Sequence, residues 1–361
     1  MAIDRRTQRY LMAGLCFAVI LSLLYFRNAD DAADALNSET SVGGTPYQTQ
    51  APTLHRNAQG EVIGAEFYTT DVSPEHITAL REHTTLQEIT FYECRGIDEL
   101  VEAELVKSES ITIIHFVRST IDDNSLARLS RMPAVEQLSL SNVDVTATGI
   151  AALGNWSKLK HLTLEGNFEL SALKGLSGLE QLEELEIAIG EGEAQHLAAH
   201  AFPEIRRLSI SDSEFGDADL ALLPGWKTLE VFEFPTENVT DAGVAQLSKF
   251  PSLKELVLMD SQVTADGLGA LGSLKNLENV SLMNCSKATD RGMNVFATMP
   301  VLKRLLLLDS GVTGVGMMQL APSRSLRYVG IGATQASAEE VAELAAALPN
   351  CEVDRITTQP P

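Results

Sequence analysis

The chain has 361 residues, of which 27 are basic and 49 acidic, so its formal net charge is −22 at pH 7. Such an excess of negative charge disfavours nucleic acids and anionic lipid surfaces as partners. Aromatic residues make up only 6% of the chain, which also argues against a platform that stacks nucleic-acid bases.

The first predicted element is an apolar segment near the N-terminus. Residues 11–26 contain no charged residue, and three arginines precede them. This length is at the short edge of a membrane span, for which about 17–25 residues are usual. Positively charged residues that flank a membrane span remain on its cytoplasmic side. We therefore predict a cytoplasmic N-terminus at 1–9 and a transmembrane signal anchor at 10–27. The remainder is predicted to be extracytoplasmic, either periplasmic or at the cell surface. A cleaved signal peptide is the alternative, since Ala33-Asp34-Ala35 resembles a small-x-small cleavage site.

A polar segment follows the apolar one. Residues 28–60 are rich in Ala, Asp, Ser, Thr, Gln and Gly and contain few large apolar side chains. Such a segment cannot bury enough apolar surface to offset the entropy lost on ordering, so we predict a flexible linker. With an average reach of about 5–6 Å times the square root of its length, the linker would span roughly 30 Å.

The rest of the chain, residues 61–356, is built from a repeat of 23 to 25 residues. Each repeat carries the pattern Leu-x-x-Leu-x-Leu, seen clearly at Leu253, Leu256 and Leu258. A fixed period of this length predicts a solenoid of about 12 units, in which each unit packs only on its neighbours. A short disordered tail is predicted at 357–361. The repeats begin at Val62, Leu86, Ile111, Val135, Leu159, Leu182, Ile205, Leu229, Leu253, Leu277, Leu302 and Leu326.

Within a repeat, the pattern predicts one short strand followed by a short helix. The apolar strand positions face a core, and because each repeat has only one strand, neighbouring strands must pair in parallel. The ninth position of the repeat carries a small polar residue or a cysteine, which can satisfy backbone groups in the turn behind the strand. These residues are Cys94, Ser119, Asn167, Ser213, Ser261, Cys285, Ser310 and Thr334.

The helix of each regular repeat is predicted to begin at a Val-Thr-x-x-Gly segment. In one example, Thr264 and Asp266 favour a helix start, whereas Gly267 costs helix propensity and therefore indicates close approach of the adjacent repeat. A proline two residues before many of the strands ends the helical part, because proline cannot extend a helix. The repeats from Leu159 and Leu182 lack this segment, so we expect irregular structure there.

The cysteines fit the repeat without redox chemistry. Cys94 and Cys285 lie eight repeats apart, on the order of 38 Å at about 4.8 Å per strand. A disulfide requires Cα atoms within about 7 Å, so no intramolecular disulfide is predicted. Cys351 follows Pro349 and is predicted to open a terminal strand at Cys351–Val353.

These motifs resemble the leucine-rich-repeat family, whose consensus is Leu-x-x-Leu-x-Leu-x-x-Asn/Cys. The units look closest to the ribonuclease-inhibitor-like, cysteine-containing branch, and the Val-Thr-Asp-Ala-Gly-Val run at 239–244 resembles membrane-anchored bacterial proteins with such repeats. The resemblance covers roughly 80% of the chain. It implies an α/β fold, a right-handed solenoid with a parallel sheet on the concave face and short helices on the convex face, here preceded by one N-terminal transmembrane helix. It also implies a usual role in binding proteins.

The sequence contains no pattern that predicts catalysis, so we expect no enzyme activity and no cofactor or metal. His196 and His200 stand one helical turn apart, a spacing that can bind zinc. However, Leu197 occupies the place of the glutamate that a metalloprotease helix requires, and no third ligand is evident. We therefore interpret both histidines as ordinary helix residues.

The candidate binding site lies on the concave face of the C-terminal repeats, where outward strand positions become apolar. An apolar patch with a polar rim predicts protein interaction, and methionine suits a surface that adapts to a partner. The alternatives are a face covered by long neighbouring side chains or a contact with a second copy. Charged substitutions at Met283 and Leu306 are expected to abolish partner capture and leave the far-ultraviolet spectrum unchanged. The predicted site residues are Val257, Met259, Asp260, Met283, Asn284, Leu306, Leu308, Asp309 and Tyr328.

Taken together, these patterns predict a membrane-tethered, extracytoplasmic, non-catalytic scaffold that binds a protein partner and no nucleic acid. The alternative is a structural or glycan-binding element of the cell envelope. Glycan binders usually expose aromatic side chains, and the predicted concave face offers only Tyr68, Tyr92 and Tyr328. Self-association is also left open.

Overall fold

The computed structural model describes residues 50–166, 168, 170–188, 194–198, 202–211, 214–332 and 334–356. The predicted cytoplasmic segment, the signal anchor, residues 28–49 of the linker and the tail at 357–361 lie outside these residues. Among the helices in the described ranges, none is long and apolar enough to cross a membrane.

The described strands form one 14-stranded sheet in which each strand pairs with its neighbours in chain order. The first pair is antiparallel and the following pairs are parallel, as predicted for one strand per repeat. β9 has only three residues, because Pro235 follows closely and has no N–H to donate to the ladder. The strands are β1 (Thr53–Arg56), β2 (Val62–Tyr68), β3 (Glu88–Tyr92), β4 (Ile113–Val117), β5 (Gln137–Ser141), β6 (His161–Glu165), β7 (Glu184–Ala188), β8 (Arg207–Ser211), β9 (Val231–Glu233), β10 (Glu255–Met259), β11 (Asn279–Met283), β12 (Arg304–Leu308), β13 (Tyr328–Gly332) and β14 (Glu352–Arg355).

Short helical segments connect the parallel strands, and the predicted helix starts are confirmed. The Thr240 and Thr264 hydroxyls each accept a hydrogen bond from the backbone N–H two residues later, at 3.2 Å. The α-helices are α1 (Pro74–Leu80), α2 (Glu99–Leu105), α3 (Asp123–Leu129), α4 (Ala147–Ala152), α5 (Ala194–Ala198), α6 (Asp217–Leu222), α7 (Asp241–Gln246), α8 (Ala265–Ala270), α9 (Asn294–Thr298), α10 (Gly314–Met318) and α11 (Ala338–Ala347). Turns of 3-10 helix span Leu153–Asn155, Leu170–Gly178, Leu247–Lys249, Leu271–Ser273 and Asp290–Gly292.

The core lies between the sheet and the helices and continues from repeat to repeat. Leu256 and Leu258, the inward positions of β10, are buried, and their counterparts along the sheet are buried as well. At the N-terminal end of the core, Phe67, Phe91 and Phe116 stack with ring centroids 5.3 Å apart. Each repeat therefore completes its apolar interior only against its neighbours, as in a solenoid.

At the ninth position, Ser119 and Cys285 bond the turns to one another, as predicted, whereas the buried Ser310 hydroxyl has no hydrogen-bond partner among the described residues. The Ser119 hydroxyl accepts a hydrogen bond from the Cys94 N–H at 2.9 Å and donates to the Phe91 carbonyl oxygen at 3.0 Å. The Cys285 thiol donates to the carbonyl of Leu258 at 3.3 Å. These buried side chains satisfy backbone groups that the strand ladder leaves unpaired.

A second link between repeats was not predicted, and it uses an aspartate that is the first residue of a helical segment. The Asp217 carboxylate accepts hydrogen bonds from the Thr240 N–H at 2.9 Å and from the Thr240 hydroxyl at 2.5 Å. Asp241 receives the same pair from Thr264, at 2.7 and 2.6 Å. The aspartate of one helix therefore holds the N-cap threonine of the next, in a position where the helix dipole favours negative charge. The same clasp joins Asp123 to Thr146 and Asp290 to Thr313.

The repeat from Leu159 is irregular, as expected, and its helical part is the 3-10 segment Leu170–Gly178. Backbones approach closely at this point. A side chain at Gly175 would bring its Cβ within 2.8 Å of the Ala151 Cβ. Without the Val-Thr-x-x-Gly start, this segment packs through small residues instead of through the aspartate clasp.

Ordered structure begins earlier than the sequence predicted. β1 lies inside the 28–60 range assigned to a flexible linker and forms a hairpin with β2, with Thr53 opposite Glu66 and Leu54 opposite Ala65. An antiparallel strand outside the repeat does not carry the repeat pattern, so no signal in the sequence predicted it. β1 covers the edge that the first repeat would otherwise leave unpaired.

A row of residues one position before the strands alternates in charge along the sheet. Glu230 accepts hydrogen bonds from Arg206 Nη1 at 3.2 Å and from Lys254 Nζ at 2.5 Å, each in an adjacent repeat. Alternating charges favour the correct neighbour in the stack and disfavour a shifted one. The row consists of Glu136, Lys160, Glu183, Arg206, Glu230, Lys254, Glu278 and Lys303.

We expect Glu230→Gln to reduce the acid sensitivity of the fold. The hydrogen bond from Lys254 lowers the pKa of Glu230 from its ordinary value of 4.5. The resulting stabilisation is complete above that ordinary pKa and is lost as the pH falls through the lower folded-state value. Because the pair is partly exposed, the loss at neutral pH should stay below about 1 kcal/mol. Urea unfolding at about pH 7 and about pH 3 measures both effects. The exposed Glu237→Gln is the control, and an equal response of both variants would contradict the expectation.

Candidate functional site

The outer face of the sheet, which points away from the helices, carries the predicted site. Because side chains alternate along a strand, the positions between buried residues lie on this face. The strand register aligns them into rows, and the central row is polar from β2 to β9 and mixed after it, where Val257 and Leu306 are its apolar side chains. This row consists of Glu66, Thr90, His115, Ser139, Thr163, Glu186, Ser209, Glu233, Val257, Ser281, Leu306, Gly330 and Asp354.

The polar half of the outer face is held by ion pairs. Arg207 lies between two carboxylates, with Nη1 2.9 Å from Glu233 Oε1 and Nε 3.9 Å from Glu184 Oε1. Burial, followed by the neighbouring carboxylates of Glu165 and Glu233, raises the pKa of Glu186. Burial likewise lowers the pKa of His115. The centre of the face is therefore acidic, and Arg207 is already engaged by two of its glutamates.

The C-terminal half of the outer face carries an apolar row. Met259, Met283 and Leu308 are direct partners in the register of β10, β11 and β12, and each is partly exposed. Val257 lies beside them in the central row and is also partly exposed. The structure thus brings these four predicted site residues together on adjacent strands. We call them the apolar patch.

Leu306 does not share the exposure of the apolar patch. Only 8% of its surface is accessible, although it occupies an outward position. Its partner in the next strand is Gly330, and a Cβ there would lie 2.6 Å from Leu306 Cδ2 and 2.9 Å from Ile356 Cδ1. Leu306 and Ile356 therefore lean together over the glycine. Leu306 is therefore a buried neighbour of the apolar patch. A charged substitution there, which the sequence suggested, would disturb packing and would not test binding alone.

The sequence analysis missed Ile356 and the glycines of β13. Gly330 and Gly332 both occupy outward positions, and a Cβ on Gly332 would lie 2.9 Å from Leu308 Cδ2. The two glycines stand at alternate positions of Tyr-Val-Gly-Ile-Gly, on one face of the strand. Glycines in this arrangement indicate that side chains from adjacent segments lie over the strand. That signal was available in the sequence and indicates that this end of the face is covered from both sides.

Tyr328 lies at the border of the predicted site and already has a partner. The Arg304 guanidinium carbon is 4.9 Å from the centre of its ring, a cation–π distance. Both residues are partly buried and stand in register on β12 and β13. Tyr328 thus lies between the apolar residues and the charged side chain of Arg304.

The predicted rim residues have a backbone role as well. Asp260, Asn284 and Asp309 directly follow their strands with φ values of 55°, 53° and 47°. Aspartate and asparagine are the non-glycine residues that tolerate this left-handed conformation best. Their side chains stay at the edge of the apolar patch, where the Asn284 amide donates to Asp260 Oδ1. The rim is therefore acidic, and its residue types are explained in part by the turn.

The three tyrosines considered for glycan binding do not form one platform. Tyr68 and Tyr92 are neighbours on β2 and β3, with ring centroids 5.9 Å apart. Tyr328 lies on β13, ten strands from Tyr92, which is on the order of 48 Å at about 4.8 Å per strand. Only the N-terminal pair could act together.

Of the two histidines considered as a metal site, one lies in the described part of the chain. His196 is partly buried in α5, and His200 lies outside the described residues. Within the described ranges, no cluster of three or more His, Cys, Asp or Glu side chains is placed to hold a metal ion.

Comparison with known proteins bears on the fold alone. No family model matches the sequence, and a search of curated proteins found no relative. Among solved structures, the chain is similar to an internalin of Listeria monocytogenes, with 12% identity, a TM-score of 0.46, and coverage of 81% of this chain and 91% of the other.

Two further structures are more similar by TM-score. TLR13, solved in complex with the RNA ssRNA13, has 18% identity and a TM-score of 0.51, and 81% of this chain covers 40% of it. Toll of Drosophila, solved in complex with Spatzle, has 15% identity and a TM-score of 0.53, and 81% of this chain covers 43% of it. The chain thus spans less than half the length of these two receptor chains. Together with the strand-and-helix repeat, this likeness shows that the chain has the leucine-rich-repeat fold.

Proposed function

We propose that the chain is a non-catalytic protein-interaction module that binds a protein partner through the apolar patch. The observation that carries this proposal is the in-register row of Met259, Met283 and Leu308, which stays partly exposed on three adjacent strands and is bordered by polar turn residues. Apolar surface of this kind, bordered by polar residues, is typical of interaction sites. The unbranched methionine side chains can adapt to the shape of a partner.

The charges around the patch define the chemistry of the partner. Asp260 and Asp309 border it on one side, and the acidic centre around Glu186 and Glu233 lies on β7 to β9. The whole chain carries a net charge of −22. A partner with an apolar surface flanked by lysine or arginine would complement both features, and long-range attraction would speed its association.

The attachment of this module is part of the proposal. The three arginines before the apolar segment 11–26 support a signal anchor at 10–27 and an extracytoplasmic repeat domain. The repeat length and the cysteines at the ninth position support a place in the ribonuclease-inhibitor-like branch. A reporter that is active only outside the cytoplasm, fused to the C-terminus, tests the topology, and an inactive reporter in cells that make the full chain would argue against it.

We expect the double substitution Met259→Glu and Met283→Glu to abolish partner capture. The new carboxylates would lie in the apolar contact, where burying them against the apolar surface of the partner costs desolvation free energy without a paired charge. A photo-crosslinking residue at Val257, used in cells, measures capture by the appearance of a discrete crosslinked species. Since both methionines are partly exposed, the far-ultraviolet spectrum and the melting temperature should change little.

A matched control lies on the same face outside the patch. Gln137→Glu and Ser139→Glu place two carboxylates on outward positions of β5, and capture should persist. If capture survives the methionine substitutions, or disappears equally in the control, the apolar patch is not the binding site.

A further inference from the structure

One position of the repeat normally closes the interior between the helix and the next strand. It stands three residues before the first apolar position of the following repeat, as Phe250 does before Leu253, and we call it the plug position. In most described repeats it holds a large apolar side chain that is almost fully buried. These side chains are Met132, Trp156, Leu179, Phe202, Trp226, Phe250, Leu274, Met299 and Leu348.

Two successive repeats lack this plug. His83 and Ser108 occupy the position, as the backbone pattern shows. The His83 carbonyl oxygen accepts from the Leu86 N–H at 3.0 Å, just as the Trp156 carbonyl accepts from the Leu159 N–H at 2.9 Å. The N–H of the residue at the plug position also bonds in the same way, from His83 to the Leu80 carbonyl at 3.0 Å and from Trp156 to the Leu153 carbonyl at 2.9 Å. The hydrogen bonds at His83 are therefore those of the plugged repeats. At Ser108 the Ile111 N–H donates to the Ser108 hydroxyl at 3.4 Å instead of to the carbonyl. In both repeats the large apolar side chain that fills the interior is missing.

An open cavity of about 430 Å³ lies at this place, between the carboxyl ends of α1 and α2. Its floor consists of buried apolar residues, among them Ile77, Leu86 and Ile111. The volume lies within the range of small-molecule sites, about 300–1,000 Å³. Ser323 is a third polar residue at the plug position, but it stands alone, because the repeats on either side carry Met299 and Leu348 there.

The mouth of the cavity is polar and its charges are balanced. Arg81 and Lys107 line it and both pair with the Glu104 carboxylate, Arg81 at 3.1 Å. Glu109 lines the same mouth and adds a second negative charge. Hydroxyl groups come from Thr84, Ser108 and Ser110. These groups can both donate and accept hydrogen bonds, and they leave no net charge to attract an ion.

We propose that this cavity binds a small uncharged amphipathic molecule, with its apolar body on Ile77, Leu86 and Ile111 and its polar head among the hydroxyls at the mouth. An apolar floor with a few convergent polar groups is the arrangement that small-molecule sites share. The negative charge of the whole chain further disfavours an anionic ligand. This site lies on the helix side of the first repeats and is independent of the apolar patch.

The test is titration calorimetry of the full chain with 1-hexanol as the probe and hexanoate as its charged counterpart. We expect heat of binding with 1-hexanol and a weaker signal with hexanoate. His83→Phe restores the plug, so it should remove the 1-hexanol signal and raise the melting temperature, because it fills a cavity. Ser108→Met is a second way to fill the same space if the phenylalanine prevents folding. Ser323→Phe, at the equivalent position of a distant repeat, should leave the signal unchanged.

Three results would overturn the proposal. One is absence of a 1-hexanol signal in the unmodified chain. Another is a signal that persists in folded His83→Phe or Ser108→Met, since the molecule would then bind elsewhere. Equal binding of hexanoate would contradict the uncharged class of ligand.

Discussion

Replacing Arg128 by methionine is expected to lower the free energy of unfolding by about 3–5 kcal/mol, the usual effect of removing one partner from a buried ion pair. Arg128 Nε donates to Glu102 Oε2 across adjacent helices, α2 and α3. This hydrogen bond raises the pKa of Arg128, so the guanidinium stays charged. Methionine keeps most of the apolar stem and removes only the charge and the donor.

The size of this effect follows from the position of Glu102. Its side chain is only 1% exposed, and Oε1 has no hydrogen-bond partner among the described residues. Other regular helices place an apolar residue at the same point, such as Leu126, Ile150 and Leu268. Without Arg128, a carboxyl group would remain in an apolar interior with no compensation.

The reciprocal substitution provides the control. Glu102→Leu restores the residue type of the other repeats, and it should be neutral or stabilising by up to about 1–4 kcal/mol. With leucine in place, Arg128→Met should cost little. Denaturant unfolding of the two single variants and the double variant measures the coupling. If Arg128→Met lowers stability equally with Glu102 or Leu at position 102, the pair does not explain the effect.

Gly267→Ala is expected to lower the free energy of unfolding by about 1–3 kcal/mol, the range for overpacking a filled site. In an ordinary helix the same change stabilises by about 0.5–1 kcal/mol, so the sign should be reversed. The reason is the aspartate clasp. A Cβ on Gly267 would lie 2.8 Å from Asp241 Cγ and 3.0 Å from its Cα, so the carboxylate that holds Thr264 would have to move.

The same helix contains a matched control. Gly269 lies two residues further along α8, is exposed, and a Cβ there would have nothing within 4 Å. Gly269→Ala should therefore be neutral or stabilising, as helix propensity predicts. Thermal unfolding of both variants decides the matter. A stabilising Gly267→Ala would show that the clasp is not under steric constraint.

Much of the fold could be predicted from the sequence because the determining interactions repeat. The spacing of Leu253, Leu256 and Leu258 predicted one parallel strand per repeat, and the structure confirms it. The role of Cys94 and Ser119 in bonding the turns was predicted from residue size and polarity alone. β1 was not predicted, because a hairpin strand outside the repeat has no periodic signal.

The candidate site was predictable only in part. Alternation placed Met259, Met283 and Leu308 on one face, and the register confirms that they are neighbours. Alternation also placed Leu306 on that face, but Leu306 is buried there. Its exposed fraction depends on the side chains around it, which alternation does not describe. Gly330 on the next strand lets Leu306 and Ile356 cover each other, and this contact joins residues that are distant in sequence.

By itself, the sequence determined the repeating unit, the parallel sheet and the residues that face the core, because each follows from a local period of about 24 residues. Only the tertiary structure showed which side chains bond neighbouring repeats to each other and where the packed interior leaves a cavity. The aspartate clasp, the buried pair of Glu102 and Arg128, and the cavity beside His83 all arise between repeats. The physical reason is that each of them joins residues about 23 to 29 positions apart, in adjacent repeats. The pattern within one repeat does not show which residues of two repeats will meet.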